Sequence, residues 1–98
     1  MMKRQGDLLI VRVNSIPNQM SIKSDRVLAE GEVTGHFHEL DLGEVYEKGD
    51  TLFFRVPENQ VATLNHPEHG PATFESGEYQ VIRQREYVPR EKPRQVGD

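Results

Sequence analysis

The stretch VYEKGDTLFFRV, Val45 to Val56, decides the fold class. Val45-Tyr46 and Thr51 to Val56 are rich in β-branched and aromatic residues, which suit a pleated, half-buried surface. Between them Glu47-Lys48-Gly49-Asp50 has the composition of a four-residue hairpin loop, with glycine where a positive φ is needed. The same grammar extends both ways: short apolar runs, punctuated by turn residues, with no sustained helical period. Towards the N-terminus, Leu8 to Val13 reads as a first strand that Ile16-Pro17-Asn18 breaks, and residues 19–25 read as a polar loop. Arg26 to Ala29 and Glu32 to Leu40 read as strands hinged at Gly31 and Gly35. Towards the C-terminus, Pro57-Glu58-Asn59 predicts a turn and Val61 to Asn65 a short strand. His66 to Pro71 holds two prolines and a glycine and cannot be a regular strand. Ala72 to Phe74 resumes extended structure, Ser76-Gly77 predicts another turn, and Glu78 to Val88 reads as the longest strand.

About seven or eight strands at this spacing predict an all-β fold, a single small antiparallel β-barrel or sandwich. The whole chain has 98 residues, enough for one domain, which the strand pattern places at residues 1–88. Residues 89–98 are polar and proline-broken, and are expected to form a mobile tail or an arm that orders on a partner. Only 35% of residues are hydrophobic, so the core is lean and a homodimer is expected to bury further surface.

The absence of cysteine excludes disulfides and thiolate metal sites and suits a cytoplasmic setting. Met1-Met2-Lys3-Arg4 has the basic character of a signal start, but the apolar run Leu8 to Val11 ends at Arg12 and is too short to complete one. No stretch approaches a transmembrane span, so no membrane role is expected. Residues 27–78 carry eleven acids and two bases, Lys48 and Arg55, whereas residues 83–94 carry five bases and two acids. The middle should attract cations and the C-terminal stretch anions. A general nucleic-acid coat is not expected, for want of a long basic face.

The four histidines fall in two tight pairs, His36-Phe37-His38 and His66-Pro67-Glu68-His69. On a strand, residues i and i+2 point to one side, so His36 and His38 should be neighbours with Phe37 turned into the core. The plainer reading is that histidines beside turns sit half-exposed and cap backbone groups. The sharper one brings both pairs to one site, with two chemistries open. In acid–base catalysis, His36 or His38 removes a proton, His66 or His69 donates one, and Glu68, Glu32 or Glu39 holds a tautomer. Arg83 or Arg85 would stabilise negative charge, and Arg12, Arg26 and Thr34 are further substrate-binding candidates. With an RNA substrate its own 2′-OH would be the nucleophile, and no cofactor is needed. In the alternative, His36, His38 and His66 or His69 bind a divalent metal such as Zn, Mn or Ni with a carboxylate, Glu44 foremost among Glu39, Asp41, Glu44 and Glu68. A third possibility is a non-catalytic module that pairs with a partner through exposed strands and the basic tail.

The HxH pattern partly resembles the first motif of the cupin family, in which a glutamate and then a glycine follow. Here Glu44 comes six residues after His38 and Gly49 five further on, wider and narrower than the usual cupin spacings, and the second cupin motif is matched only loosely by Gly70 to Tyr79. Three other blocks, RQGDLLIVRV (Arg4 to Val13), LAEGEVTGHFH (Leu28 to His38) and HPEHGPATFESGEYQVIRQREYVP (His66 to Pro89), are similar to a group of small bacterial and phage proteins. That group resembles the β-barrel type of CRISPR-associated ring nuclease. The resemblance implies a dimeric, metal-independent phosphodiesterase acting on cyclic oligoadenylates. A cyclic, symmetric ligand would sit on the two-fold axis between identical subunits.

Overall fold

A computed structural model describes residues 1–30 and 36–83. Eight antiparallel strands occur among them: β1 (Met2–Gln5), β2 (Leu8–Val13), β3 (Ser21–Ile22), β4 (Val27–Glu30), β5 (Phe37–Leu40), β6 (Glu44–Lys48), β7 (Thr51–Asn65) and β8 (Ala72–Arg83). They form one sheet in the order β1-β2-β8-β7-β5-β4, with β6 added to β7 and β3 to β6, curled into a half-barrel rather than split into a sandwich. The hairpin expected over Val45 to Val56 is present: Lys48 pairs with Thr51 across Gly49, whose φ is +60°.

The long strand β7 organises the sheet. Its first half pairs with β6, its last residues with β5, and both halves with β8. This is possible because β7 is bent. Between the pairs Val56–Gly77 and Val61–Glu75, residues 57–60 of β7 face only Ser76 of β8. Asn59 there adopts φ +62° and Gly77 φ +151°. The two turns expected at Pro57-Glu58-Asn59 and Ser76-Gly77 are therefore opposite sides of one irregularity. The proline and the left-handed Asn59 kink the chain without reversing it. Val61 to Asn65 is accordingly the second half of β7, not a separate strand.

Three other expectations are corrected. The first strand is β1, not β2. Its only buried side chain is Gln5, so no apolar alternation marks it. Gly6, with φ +59°, closes its hairpin at the glycine position of a type II′ turn. Residues 19–25 include the two-residue strand β3, recruited by pairing with Tyr46 and Glu47. Phe37 is not in the core: it is 38% exposed, while His38 is 3% exposed. The inner face of β5 is set by Leu40, and two-residue alternation carries His38 in with it.

The core is a cluster that includes Leu8, Ile10, Leu40, Leu64, Phe54, Phe74, Tyr79 and Val81. Phe54, Phe74 and Tyr79 pack as a triangle with ring centres 4.9–5.5 Å apart. The buried Tyr79 hydroxyl donates to the Glu75 carbonyl at 2.7 Å. Tyr79, Val81 and Arg83 lie on one face of β8. The first two are buried, so this face is the core side and leads Arg83 to the rim of the half-barrel. The tail at 89–98 and the strand segment at 84–88 lie outside the described residues.

Candidate functional site

At that rim three elements meet: the tip of the β1–β2 hairpin, the start of β5, and the proline-broken segment between β7 and β8. The four histidines come together there. The His66 ring centre lies 4.4 Å from His38, 4.6 Å from His69 and 5.7 Å from His36, and His38 lies 6.0 Å from His69. His66-Pro67-Glu68-His69 is held in its turn partly by a hydrogen bond from the Glu68 N–H to His66 Nδ1, 3.0 Å. Glu68 also faces His36, Oε1 to Nδ1 at 3.8 Å, from an exposed position.

His38 is the buried member, and its protonation is fixed by a residue that the sequence reading did not select. Gln5 is 3% exposed. Its Nε2 donates to the Leu64 carbonyl at 2.9 Å and to the Gly70 carbonyl at 2.8 Å. Both amide hydrogens are thereby used, so Gln5 Oε1, 2.8 Å from His38 Nδ1, can only accept. His38 must donate through Nδ1, which leaves the Nε2 lone pair free in the neutral ring. Burial pushes the His38 pKa down to about 4, helped by the charges of His66, His69 and Arg83 and opposed by Asp7. His66 is shifted downward too, by burial and then by His69 and His36. At neutral pH His38 is therefore an uncharged base.

Its Nε2 faces Asp7 Oδ1 at 3.9 Å. In the neutral ring Nε2 bears no hydrogen, so it and the Asp7 carboxylate oxygen present two acceptors to whatever lies between them. Asp7 Oδ2 is in turn 3.7 Å from Arg83 Nη2, which donates to the Glu30 carbonyl at 3.2 Å. Arg83 Nε is buried and has no hydrogen-bond partner among the described residues. Arg83 thus brings one cation to the edge of the histidine cluster. Gly6 completes the hairpin tip. A Cβ at Gly6 would lie 2.9 Å from His69 Nε2 and 3.1 Å from His38 Cε1, besides requiring an L-residue at φ +59°. Gly6→Ala should destabilise the fold by about 1–3 kcal/mol and displace both imidazoles although it removes no functional group. Unchanged urea midpoint and unchanged histidine NMR signals in that variant would contradict this packing.

The depressed pKa values have a stability consequence. His38 ordinarily titrates near 6.5 and in the folded protein near 4, so below 6.5 protons favour the unfolded chain. Its contribution is whole above pH 6.5 and is lost as the pH falls towards 4, about 3 kcal/mol in all at 1.36 kcal/mol per pKa unit. Urea midpoints should fall over this window; midpoints unchanged between pH 7 and pH 5 would contradict a buried neutral His38.

Of the other residues selected from sequence, Arg12 belongs elsewhere. It lies four residues along β2 from Leu8, roughly 13 Å at strand spacing. There its Nη2 donates to the Ser76 carbonyl at 3.0 Å and its guanidinium lies over the Tyr79 ring, beside Gly77. Glu44 is also remote. It faces Arg55 across β6 and β7 and accepts from the Tyr46 hydroxyl at 2.5 Å, and Arg55 itself is eleven residues before His66 along β7. The cupin-like ligand set built on Glu44 is therefore not assembled; among the described residues, the carboxylates of Asp7 and Glu68 face imidazole nitrogens. Arg26 donates to the Leu40 carbonyl at 3.2 Å and ties the start of β4 to the end of β5. Thr34, Glu32 and Arg85 lie outside the described residues. No sequence signal marks Gln5 and Asp7: both are polar residues flanking Gly6, outside any apolar alternation.

Among the described residues, no helix is long and apolar enough to cross a membrane, and no three His, Asp or Glu side chains have their donor atoms gathered as a metal cage. Neither the curated proteins nor the solved structures give a match to this chain. One family model spans residues 4–84, and with them every residue of the histidine cluster; the chain belongs to the family described as Domain of unknown function (DUF8820).

Proposed function

We propose that the protein is a metal-independent phosphodiesterase that cleaves small or cyclic RNA, with cyclic oligoadenylates as the first substrates to test. The observation that carries this reading is His38, an uncharged base whose free Nε2 is fixed by Gln5 and opens towards Asp7. In the reaction, a substrate 2′-OH gives its proton to His38 Nε2 while O2′ bonds to the adjacent phosphorus. The P–O5′ bond breaks, and the departing O5′ takes a proton from His69; His66, whose Nδ1 accepts from the Glu68 N–H, is the weaker donor. The products are a 2′,3′-cyclic phosphate and a 5′-hydroxyl, so atoms and charge balance without a cofactor. Arg83 is the cation available to stabilise the phosphorane-like charge. Asp7 orients the attacking hydroxyl and offsets part of the charge that forms on His38.

Incubation with cyclic oligoadenylates of several ring sizes in EDTA should yield linear products ending in a 2′,3′-cyclic phosphate. Intact rings at every size would overturn the reading. A ring-shaped ligand favours a homodimer, with one histidine cluster from each copy facing it. Sedimentation should then show a dimer in the cytoplasmic pH range; a monomer at all concentrations, with or without ligand, would count against that arrangement.

The ring spacing supports a second reading, a divalent metal centre. Two imidazoles bound to one tetrahedral ion have ring centres about 5 Å apart, given metal–nitrogen bonds near 2.0 Å. The observed centres are 4.4–6.0 Å apart. With the His66 and His69 rings turned to gather donor atoms that do not converge as they stand, His38 Nε2, His66, His69 and Asp7 would supply the ligands, and Gln5 would orient His38 from behind. A bound ion would polarise a phosphoryl oxygen or activate water. Elemental analysis of protein purified without a tag or chelator tests this: stoichiometric metal lost in His38→Ala favours the metal centre, and cleavage that persists in EDTA rejects it.

A further inference from the structure

Beside the histidine cluster, on the outer face of the sheet, an open depression of about 360 Å³ is lined by Phe37, Glu39, Asn65, His66 and Pro67. His66 is the shared wall, one side towards His38 and the other towards the depression. The register explains the grouping. Glu39 pairs with Asn65 across β5 and β7, and Phe37 precedes Glu39 by two residues, so all three share the outer face. Phe37 is 38% exposed, a cost that neither the core nor a ring neighbour among the described residues offsets. The side chains of Glu39 and Asn65 have no hydrogen-bond or ion-pair partner among the described residues. An exposed aromatic face, an amide with one donor and one acceptor edge, and a carboxylate thus stand unpartnered around one cavity.

We infer that this depression is a nucleobase subsite selecting bases that carry an exocyclic amine. The inference rests on the phosphodiesterase reading for its biological meaning, but its chemistry stands on these groups. Stacking on Phe37 and Pro67 is indifferent to base identity. Asn65 and Glu39 are not. A primary amide pairs with adjacent acceptor and amine positions on a base edge, and a carboxylate accepts from an exocyclic amine and repels a carbonyl at the same place. The negative charge of Glu39 keeps the phosphate out of the depression and on the Arg83 side of His66.

The test uses free nucleosides, which lack a phosphodiester and therefore report on the subsite alone. Adenosine, inosine, cytidine and uridine are titrated into isotope-labelled full-length protein and followed by NMR. Backbone amides at Phe37, Glu39 and Asn65 should shift, with adenosine bound at least several-fold more tightly than inosine, and cytidine than uridine. Phe37→Ala should lose binding of all four. Glu39→Ala should retain binding and shrink the difference between aminated and deaminated partners, and Glu39→Ala with Asn65→Ala should level it. Because these side chains are exposed, melting temperatures should not move. Equal affinities for all four nucleosides, shifts confined to other surfaces, or no shifts at all would overturn the inference. Cleavage of oligoadenylates without nucleoside binding removes the subsite and leaves the catalytic reading; selective binding without cleavage does the reverse.

Discussion

Replacing His38 by alanine is expected to lower phosphodiester cleavage by about 10²–10⁴, the usual yield of one positioned general base. The loss should be larger than for any other histidine. His38 alone has its tautomer set by a buried amide and its free nitrogen aimed at a carboxylate. The variant also leaves Gln5 Oε1 without its donor, a defect of about 1–3 kcal/mol if water does not replace it. Rates must therefore be read well below the melting temperature. The pH profile separates the two effects. A base with a pKa near 4 keeps cleavage going through pH 5, where an ordinary imidazole would already be protonated. Wild-type activity collapsing near pH 6.5 would assign the base to another group.

Phe54→Ala is expected to cost about 3–5 kcal/mol, the usual loss for truncating a buried aromatic side chain. Phe54 is fully buried, pairs with Tyr79 across β7 and β8, and packs on both other aromatic rings of the core. It also sits opposite Val45, so one side chain joins β6, β7 and β8. Domains of this size have about 5–15 kcal/mol in total, and this core is lean, so the variant should be largely unfolded at 37 °C. Urea unfolding followed by tyrosine fluorescence and far-ultraviolet circular dichroism measures it. A loss under about 1 kcal/mol would mean that the aromatic triangle is not the centre of the core.

The hairpin at 45–56 was legible because turn chemistry and β propensity agree there. The join of β7 and β8 was not, since Pro57, Asn59 and Gly77 are turn residues by every local rule. Only their facing each other across a ladder makes them a bulge instead of two reversals, and that pairing spans some twenty residues of sequence. Similarly, the two histidine pairs could be singled out by their spacing, and the structure brings them together. Which histidine is buried could not be read, because Phe37 is the more hydrophobic neighbour and local preference would turn it inward. Leu40 reverses that choice from two residues away. Gln5 and Asp7 were invisible for a different reason: their roles depend on carbonyls at Leu64 and Gly70 and on a guanidinium at Arg83, none nearby in sequence.

Long-range nitrogen–proton NMR of the four imidazoles, recorded from pH 8 to pH 3.5, tests the account at its root. His38 should appear as the Nδ1–H tautomer at neutral pH, coupled to Gln5, and should stay uncharged until the pH nears 4. Gln5→Leu should release that tautomer. A His38 that carries its proton on Nε2, or that titrates near 6.5 like a solvated imidazole, would contradict the site described here.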